Sequence, residues 1–547
     1  MQAPNPVRQA LANREIRLAE IGWMLGIAAE AAYLVALLVF AFQLGGVGWV
    51  GLAGLARTLP GALSAPFIGS LADRLPRHRL LFVVHLGRAA AVASLALLSA
   101  TGGSQILLLV LAGAEGIFAT LHRPSNASLL PALARAPEEL IASNIVSGTA
   151  ENLGTLIGPA LGGAVLLLAG TTAGFVTPAT MFLAAAFAVS LVRPMAQPRQ
   201  LPEAGGRRGV RRIMRGFEAL IEHPTAGLLV GIGLTQTFVR GVMTVLLVAA
   251  CAGVLGLGEQ GIGLLQSAIG FGGIAGALAA GALVTRRKLS GAMRIGLLLW
   301  GLPIMVIGLA PNAVVAVAVL VVLGIGNAVF DVGLFSLIQR NVPNAVRGSV
   351  FGAFEGMIML TVGLGSILAP QLQAVLGVRG ALVAAGALLP ILALAGGRGI
   401  ERADHAAVVP DHEMRLLRGV TMFRPLPLTV VEQLAMGAQT ATFEPGTAIL
   451  EEGEVGDRFY IIVRGAAEVV SGKRRLRELG PGDSFGEIAL LRDSPRTATV
   501  RAVDRVETVT LERPDFVCAV TGNPQAATEA GQVIEGRLEP SRSAGRA

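Results

Sequence analysis

The sequence has little of what metalloproteins and enzymes require. Only two of its 547 residues are cysteines, Cys251 in an apolar run and Cys518 near the C-terminus, and nothing in their spacing suits a disulfide or a zinc site. The six histidines are not clustered along the chain. A Walker loop and a nucleophile elbow are also missing. We therefore expect no metal, no catalytic cofactor and no enzyme activity.

Charge is scarce as well, while apolar residues are abundant. Asp, Glu, Lys and Arg make up 15% of the chain, whereas apolar residues make up 53% and glycine supplies 71 positions. This composition is typical of a protein that crosses the membrane many times. Lys and Arg exceed Asp and Glu by 44 to 36, but the excess lies in short loops. It therefore indicates membrane orientation and not nucleic-acid binding.

Long apolar runs fill the chain up to about residue 397. A membrane-spanning helix needs about 20 mostly apolar residues, and twelve segments meet this requirement. They lie near residues 20–43, 47–70, 80–100, 105–128, 141–168, 171–192, 226–254, 260–284, 291–310, 312–338, 347–372 and 376–396. The basic loops alternate with nearly uncharged ones, so the positive-inside rule predicts that both termini are cytoplasmic.

Two changes in composition divide the chain. The basic stretch 193–225 separates two groups of six spans, 20–192 and 226–397, which is the organisation of a transporter built from two repeats. The polar segment 1–19 precedes them and lacks a cleavage site, so we expect it to stay in the cytoplasm. After a linker at 398–417, short alternating strands and Gly or Pro turns predict a soluble module over 418–540.

The loop "GSLADRLPRHR", 69–79, combines an acidic residue with several cations. It resembles the loop motif of the major facilitator superfamily. The residues that match are Gly69, Asp73, Arg74, Arg77 and Arg79. The resemblance implies a latch that holds one conformation, in which the acid faces a helix N-terminus and the cations bond carboxylates and carbonyls. The alternative is a loop whose charges only set the topology.

The fifth span contains "GTLIGPALGG", 154–163. Small residues four apart let helix backbones approach closely, and a proline bends the span. The stretch resembles the fifth-helix motif of proton-coupled drug exporters of the same superfamily, and "HRPSNASLLPAL" after the fourth span resembles bacterial siderophore and drug exporters. The residues of the fifth-helix motif are Gly154, Gly158, Pro159, Gly162 and Gly163. Ordinary small-residue packing is the alternative.

Ionisable residues inside membrane spans are costly and therefore mark candidate functional sites. One such residue falls in each of the first, fourth, seventh and tenth spans, which the resemblance implies line the central cavity. These are Glu30, Glu115, Arg240 and Asp331. We expect Glu30 and Glu115 to carry protons, with Arg240 as counter-ion. Alternatively, some of these charges pair structurally, since Arg57, Arg88, Glu151 and Glu355 also lie in spans.

The C-terminal module contains "FGEIALLRDSPRTATV", 485–500. Gly486 before a short helix lets the backbone approach an anion, and the helix N-terminus presents free N–H groups to it. Arg496 can bond phosphate oxygens in a fork, while Glu487 can accept a ribose hydroxyl. These are the groups that a cyclic nucleotide requires.

This stretch resembles the phosphate-binding cassette of cyclic-nucleotide-binding domains. The matching residues are Phe485, Gly486, Glu487, Ala489, Leu490, Pro495, Arg496 and Ala498, and Gly446, Gly453, Asp457, Tyr460 and Gly465 match the entry to that domain's β-roll. The resemblance implies that cAMP or cGMP binds at Gly486, Glu487, Ala489, Arg496, Thr497 and Ala498. Thr497 is compatible with a guanine base but does not exclude adenine. The alternative is a β-roll that has lost its ligand.

The expected fold is an all-α membrane bundle of twelve transmembrane helices in two six-helix halves, followed by a C-terminal β-roll with flanking helices. The expected function is proton-coupled export of a small molecule across the cytoplasmic membrane, regulated by the cyclic nucleotide. Its expected partners are the substrate, the nucleotide and the lipid bilayer, with no nucleic acid. The alternatives are a membrane-tethered nucleotide receptor that does not transport and a transporter of lipid or lysolipid.

Overall fold

The structure is a computed structural model that describes residues 11–72, 75–102, 104–134, 137–193, 206–284, 289–406, 411–426, 428–472, 474–492 and 494–543. The chain divides into two compact units. One consists mainly of the long apolar helices between residues 7 and 407, and the other mainly of residues 408–547. The second unit contains all the β-strands among the described residues.

Long helices make up the first unit. Nine helices within the described ranges are long and apolar enough to cross a membrane. The helices of this unit are α1 Arg14–Ala72, α2 Arg77–Thr101, α3 Gln105–Leu133, α4 Pro137–Ser190, α5 Gly206–Glu222, α6 Pro224–Gly253, α7 Ile262–Val284, α8 Leu289–Leu309, α9 Ala313–Asn341, α10 Asn344–Ala395 and α11 Gly397–Ala406. The protein is therefore a mostly helical, multi-pass membrane protein.

Three of these helices are too long for one crossing. Helix α1 has 59 residues, which at about 1.5 Å per residue is nearly three times the ~30 Å of bilayer hydrocarbon. Each of the three contains a glycine with non-helical backbone angles, namely Gly46 (φ 65°) in α1, Gly170 (φ 79°) in α4 and Gly377 (φ 68°) in α10. Glycine adopts such positive φ values without the strain that a side chain would add. Each glycine lies in or beside a turn that the sequence analysis placed between two spans.

The basic stretch 193–225, expected as a loop, contains helix α5. Helix α5 carries apolar residues at helical spacing, so one face can pack against the bundle. Ala219 is buried, and a Cβ added at Gly216 would lie 2.3 Å from the carbonyl oxygen of Ser349 in α10. The stretch is therefore partly an ordered helix that packs against the second half of the bundle.

The glycines of the fifth-span motif lie at close helix crossings. A Cβ at Gly158 would lie 2.5 Å from the carbonyl oxygen of Ala28 in α1, and one at Gly163 would lie 3.0 Å from Cα of Gly263 in α7. Gly154 and Gly162 likewise face α1, and Pro159 lies inside α4. The motif thus brings α4 against α1 on one side and against α7 on the other. This is the close approach that small residues permit between membrane helices.

The second unit is a β-roll with flanking helices. Its strands form two antiparallel four-stranded sheets with orders β1-β8-β3-β6 and β2-β7-β4-β5. The strands are β1 Gln439–Phe443, β2 Ala448–Leu450, β3 Arg458–Arg464, β4 Ala467–Ser471, β5 Arg474–Leu479, β6 Ser484–Phe485, β7 Thr499–Ala502 and β8 Val506–Glu512. The helices are α12 Asp411–Gly419, α13 Leu428–Gly437, α14 Glu487–Arg492, α15 Arg513–Thr521 and α16 Pro524–Ser543.

Aromatic side chains join the helices of this unit to its sheets. The rings of Phe459 on β3 and Phe516 on α15 stack with centroids 4.5 Å apart, and Phe423 meets both edge-on at 5.5 and 5.9 Å. All three side chains are fully buried. Such pairs stabilise a core by about 0.5–1.5 kcal/mol beyond the area they bury. The helices flanking the β-roll are therefore held to it by a common core.

Candidate functional site

The stretch 485–500 forms a strand end, a short helix and a turn that returns to β7. Gly486 lies between β6 and α14 with φ of 93°. A Cβ at this position would lie 2.8 Å from Nη1 of Arg496 and 3.0 Å from the carbonyl oxygen of Arg458. Both the backbone angle and the space therefore require glycine here.

Arg496 is the central cation of this site, and it is 4% exposed. Its Nη1 donates to the carbonyl oxygen of Gly486 at 2.8 Å, and its Nη2 donates to that of Arg458 at 2.8 Å. Burial lowers the pKa of Arg496, while the neighbouring Tyr460 and Asp457 raise it. A guanidinium has five N–H donors, so Arg496 keeps donors for a further anion.

Glu487 is the buried carboxylate of the site, with 1% of its surface exposed. Its Oε1 accepts a hydrogen bond of 2.7 Å from Nη1 of Arg537 on α16. Its Oε2 is buried and, among the residues that the structure describes, has no hydrogen-bond partner. An unsatisfied buried acceptor is costly. Glu487 can therefore accept a hydroxyl group that enters the site.

These residues line one cavity of about 630 Å³. Arginines dominate its charged lining, because Arg474, Arg475 and Arg477 of β5 join Arg496 and Arg537, whereas Glu487 is the only acid in the lining. Thr497 and Ala498 also face it, with Gly486 and Ala489. The cavity thus brings together all six residues that the sequence analysis assigned to the ligand. Its charge suits an anion with a hydroxyl near Glu487.

A second cluster of charge lies within the helices of the first unit. We call Glu30, Arg57, Arg88 and Glu115 the ion ring. Arg57 contacts Glu30 Oε1 at 2.8 Å and Glu115 Oε2 at 3.2 Å, while Arg88 contacts Glu115 Oε1 at 2.6 Å and Glu30 Oε2 at 3.1 Å. Each of the four carboxylate oxygens therefore faces one cation, and the ring is closed and formally neutral.

The ion ring depends on close helix packing. The break at Gly46 folds α1 back, so that Glu30 and Arg57 of the same helix meet. A Cβ at Gly116, next to Glu115, would lie 1.8 Å from the carbonyl oxygen of Arg57. Glu115 and Arg88 are sealed from solvent, whereas the side chains of Glu30 and Arg57 are 28% and 16% exposed. One edge of the ring, formed by Glu30 and Arg57, is therefore partly accessible, while the edge formed by Glu115 and Arg88 is closed.

Arg240 and Asp331, the other two residues predicted to line the transport cavity, lie in the second half of the bundle. Asp331 accepts a hydrogen bond of 2.9 Å from Asn327, whose amide oxygen accepts one of 2.8 Å from the indole of Trp300. Arg240 interacts electrostatically with Asp331. The sequence analysis named Arg240 as counter-ion to Glu30 and Glu115. In the structure, the cations in contact with those two carboxylates are Arg57 and Arg88.

Comparison with known proteins identifies the two parts of the chain. The model of the Major Facilitator Superfamily matches residues 21–366 and 228–442, well over half of the sequence. The chain belongs to the major facilitator superfamily. The model of the Cyclic nucleotide-binding domain matches residues 440–520. A major facilitator transporter is thus joined in one chain to a cyclic nucleotide-binding domain, which confirms the resemblance to the superfamily and the resemblance to that domain.

The curated relatives each match a limited part of the chain. A cGMP-dependent protein kinase of Plasmodium berghei is 36% identical over 118 residues, 21% of this chain and 14% of the kinase. A cAMP-dependent protein kinase regulatory subunit of Schizosaccharomyces pombe is 36% identical over 102 residues, 18% of this chain and 25% of the subunit. A cyclic nucleotide-gated potassium channel of Mesorhizobium japonicum is 29% identical over 210 residues, 37% of this chain and 57% of the channel. The chain thus spans less than two thirds of each.

The loop motif of the superfamily is only partly visible. Gly69 lies within α1 and Arg77 begins α2. Arg79 is exposed, while Asp73 and Arg74 lie outside the described residues. The latch therefore stays a prediction.

Sequence reasoning did not assign three of the residues that complete these sites. Arg537 lies 50 residues after its partner Glu487, on a helix with no motif of its own. Arg57 and Arg88 were noted only as further charges in spans. The first four spans contribute two acids and two arginines at mid-span positions. This equal number of opposite charges could have predicted that the acids pair with the arginines.

The geometry around Gly486 predicts that its replacement by alanine has a larger effect on amide hydrogen exchange than the same replacement at Gly482. Gly486→Ala places a methyl group against Arg496, so we expect the hydrogen bonds from Arg496 to the carbonyls of Gly486 and Arg458 to break. Amide hydrogen exchange in residues 484–500 of the full-length protein should then accelerate about tenfold, equivalent to about 1.4 kcal/mol, the order of one hydrogen bond to a charged group.

The matched control is Gly482→Ala. Gly482 has a similar φ of 89°, but a Cβ there has open space around it. This variant suffers the same backbone strain without the contact with Arg496, so exchange in 484–500 should stay close to wild type. Equal exchange in the two variants would contradict the assigned role of Gly486.

Proposed function

We propose that the protein is a secondary transporter of the cytoplasmic membrane that exports a small molecule by proton antiport and is regulated by cAMP or cGMP bound to its C-terminal domain. The observation that carries this proposal is the joining, in one chain, of a major facilitator transporter and a domain whose cavity contains Arg496 and Glu487. The nucleotide regulates transport and is not consumed.

Twelve spans fit the helices best. Of the nine long helices within the described ranges, three contain the glycine breaks and are 49 to 51 residues long over their apolar parts. Each of the three is long enough for two crossings at about 20 residues per span, and nine helices with three doubled make twelve. An even number of spans, with the basic loops inside, puts both termini and the nucleotide domain in the cytoplasm.

The cavity in the C-terminal domain can hold the parts of a cyclic nucleotide. The phosphate would lie at the start of α14, next to Gly486 and the free donors of Arg496, because helix N-termini and guanidinium groups both favour phosphate. The ribose hydroxyl would bond Glu487 Oε2, the acceptor that has no hydrogen-bond partner among the described residues. Thr497 can donate its hydroxyl to a guanine base, and adenine also remains compatible.

Replacing Arg496 tests whether a cyclic nucleotide binds in this cavity. Arg496→Ala should weaken the binding of cAMP or cGMP to the full-length protein by about 1.5–3 kcal/mol, the range for a hydrogen bond to a charged group, or about 10- to 150-fold in Kd. Isothermal titration calorimetry measures this. Arg492→Ala is the control, since Arg492 is exposed on α14 and does not line the cavity.

The expected control result is an unchanged Kd. Folded wild-type protein that gives no heat with millimolar cAMP or cGMP would overturn the assignment of the ligand. Equal weakening by the two variants would show that the loss is not specific to Arg496.

Proton coupling is proposed from the ion ring. Its open edge, formed by Glu30 and Arg57, lies where a substrate can compete for the charges. Protonation of Glu30 or Glu115 would leave an excess positive charge in the ring, which is unfavourable unless an arginine moves. The ring can thus link proton uptake to rearrangement of the helices. In the second half, Asp331 with Arg240 is the next candidate.

Neutralising the acids tests this part of the proposal. Glu30→Gln, Glu115→Gln and the double variant should each lose at least tenfold in ethidium flux driven by an imposed pH gradient across proteoliposomes, because the proton carriers are gone. Glu218→Gln, an exposed position on α5, should keep wild-type flux. Full gradient-driven flux in all three ring variants would place the carrier elsewhere, with Asp331 to be tested next.

Regulation requires a physical connection between the two units. Helix α11 ends the first unit and α12 begins the second, and helices transmit movement better than a flexible chain does. A ligand shifts transport only by its different affinity for the two states of the transporter.

A further inference from the structure

Two histidines lie in ring contact inside the first unit, although they are 37 positions apart in the sequence. His85 on α2 and His122 on α3 have ring centroids 4.8 Å apart at an angle of 72°. Both side chains are fully buried. Trp23 of α1 packs on His122 at 4.7 Å, and Phe182 of α4 lies 6.3 Å from His85. We call His85 and His122 the histidine pair.

The packing around the histidine pair is unusually close. A Cβ at Gly26 of α1 would lie 2.6 Å from Cε1 of His85 and 2.8 Å from Cε1 of His122. Both ring nitrogens of His85 and Nε2 of His122 are buried without a hydrogen-bond partner among the described residues. Burying such groups unsatisfied costs free energy. Apolar side chains would fill this space at lower cost, so packing does not account for the pair.

One contact connects the histidine pair to the ion ring. Nη1 of Arg88 lies 3.3 Å from Nδ1 of His122. A guanidinium can only donate, so Nδ1 of His122 accepts. Its proton is therefore on Nε2, and the ring is neutral. A protonated His122 would direct an N–H at the cationic Arg88, so a protonated His122 and the present position of Arg88 exclude each other.

Arg88 also contacts both acids of the ion ring, so a movement of Arg88 away from His122 affects them too. The same guanidinium contacts Glu115 at 2.6 Å through Nη2 and at 2.8 Å through Nε, and Glu30 at 3.1 Å. If Arg88 leaves His122, these contacts change together. The other charged and titratable groups facing His122 are Glu30 from α1, His85 from α2, and its neighbour Arg123, which pairs with Glu151 of α4.

We propose that the histidine pair is a proton-binding site, in which a proton added to Nδ1 of His122 displaces Arg88 and weakens its contacts with Glu30 and Glu115. The proton comes from a hydronium ion of the solvent, so one O–H bond breaks and releases water while one N–H bond forms at Nδ1. The proposal rests on the proposed function only in assigning the ion ring to transport. The protonation and the movement of Arg88 follow from the contacts themselves.

The first test needs no transport substrate. Full-length protein in nanodiscs, labelled with ¹⁵N at histidine and arginine side chains, has six histidines, and His122 is assigned from the signal lost in His122→Gln. At pH 8 the signal should be that of the Nε2–H tautomer. On acidification to about pH 4, well below the usual histidine value, it should become doubly protonated while the Nε signal of Arg88 shifts with the same midpoint.

Three results would overturn the proposal. They are an Nδ1–H tautomer at pH 8, a His122 that stays neutral to pH 4, and a titration of His122 that leaves Arg88 unchanged. The charge-neutral double variant Arg88→Gln with Glu115→Gln removes the opposing cation, so His122 should then titrate at a pH at least one unit higher. If that variant does not fold, the wild-type titration alone decides the matter.

The second test separates this proposal from the proposed function. His122→Gln keeps an acceptor for Arg88 but binds no proton, so ethidium flux should lose the pH dependence whose midpoint coincides with the His122 titration measured in the first test. His223→Gln, at a partly exposed position before α6, should keep it. A wild-type pH profile in His122→Gln contradicts the proposal. If wild type moves no ethidium, the proposed function fails under this assay while the titration above still decides the histidine pair.

Discussion

A buried guanidinium must be bonded in several directions at once, and two arginines of this chain satisfy that requirement in different ways. Arg88, within the membrane helices, contacts two carboxylates and a histidine nitrogen. Arg496, within the β-roll, donates to two main-chain carbonyls. Losing one partner of a buried charge costs about 3–5 kcal/mol. Neither arginine can therefore move without a replacement partner.

This requirement couples the members of each site to one another. In the ion ring, a change at one member alters all four, because each carboxylate is shared between both arginines. In the nucleotide domain, Glu487 bonds Arg537 of the last helix, so a ribose that approaches Glu487 meets α16 as well. Interfaces of this kind switch between states and do not deform continuously. A nucleotide that stabilises one arrangement by about 1–3 kcal/mol shifts transport by a factor of about 5 to 150.

The sequence predicted what short motifs and long apolar runs encode. The six ligand residues between Gly486 and Ala498 lie within one turn and one helix start, so their spacing alone brings them to one cavity. The membrane helices followed from hydropathy, and the gaps between the predicted spans fall at or next to the three glycine breaks. What it could not predict were contacts between distant segments. Arg537 reaches Glu487 from a terminal helix, and His85 meets His122 only because Gly26 lets α1 close over them. For the same reason, the sequence analysis named Arg240 as the counter-ion and did not assign Arg57 and Arg88 to that role.

The most direct test of the account is ethidium flux into or out of proteoliposomes under a fixed pH gradient, with and without saturating cAMP or cGMP on the side of the C-terminal domain. We predict that the nucleotide changes wild-type flux by at least fivefold, the lower end of the range for a coupling of about 1–3 kcal/mol. At the same nucleotide concentration, Arg496→Ala should transport at the nucleotide-free rate. Unchanged wild-type flux, with nucleotide binding confirmed in the same preparation, would contradict the regulatory coupling.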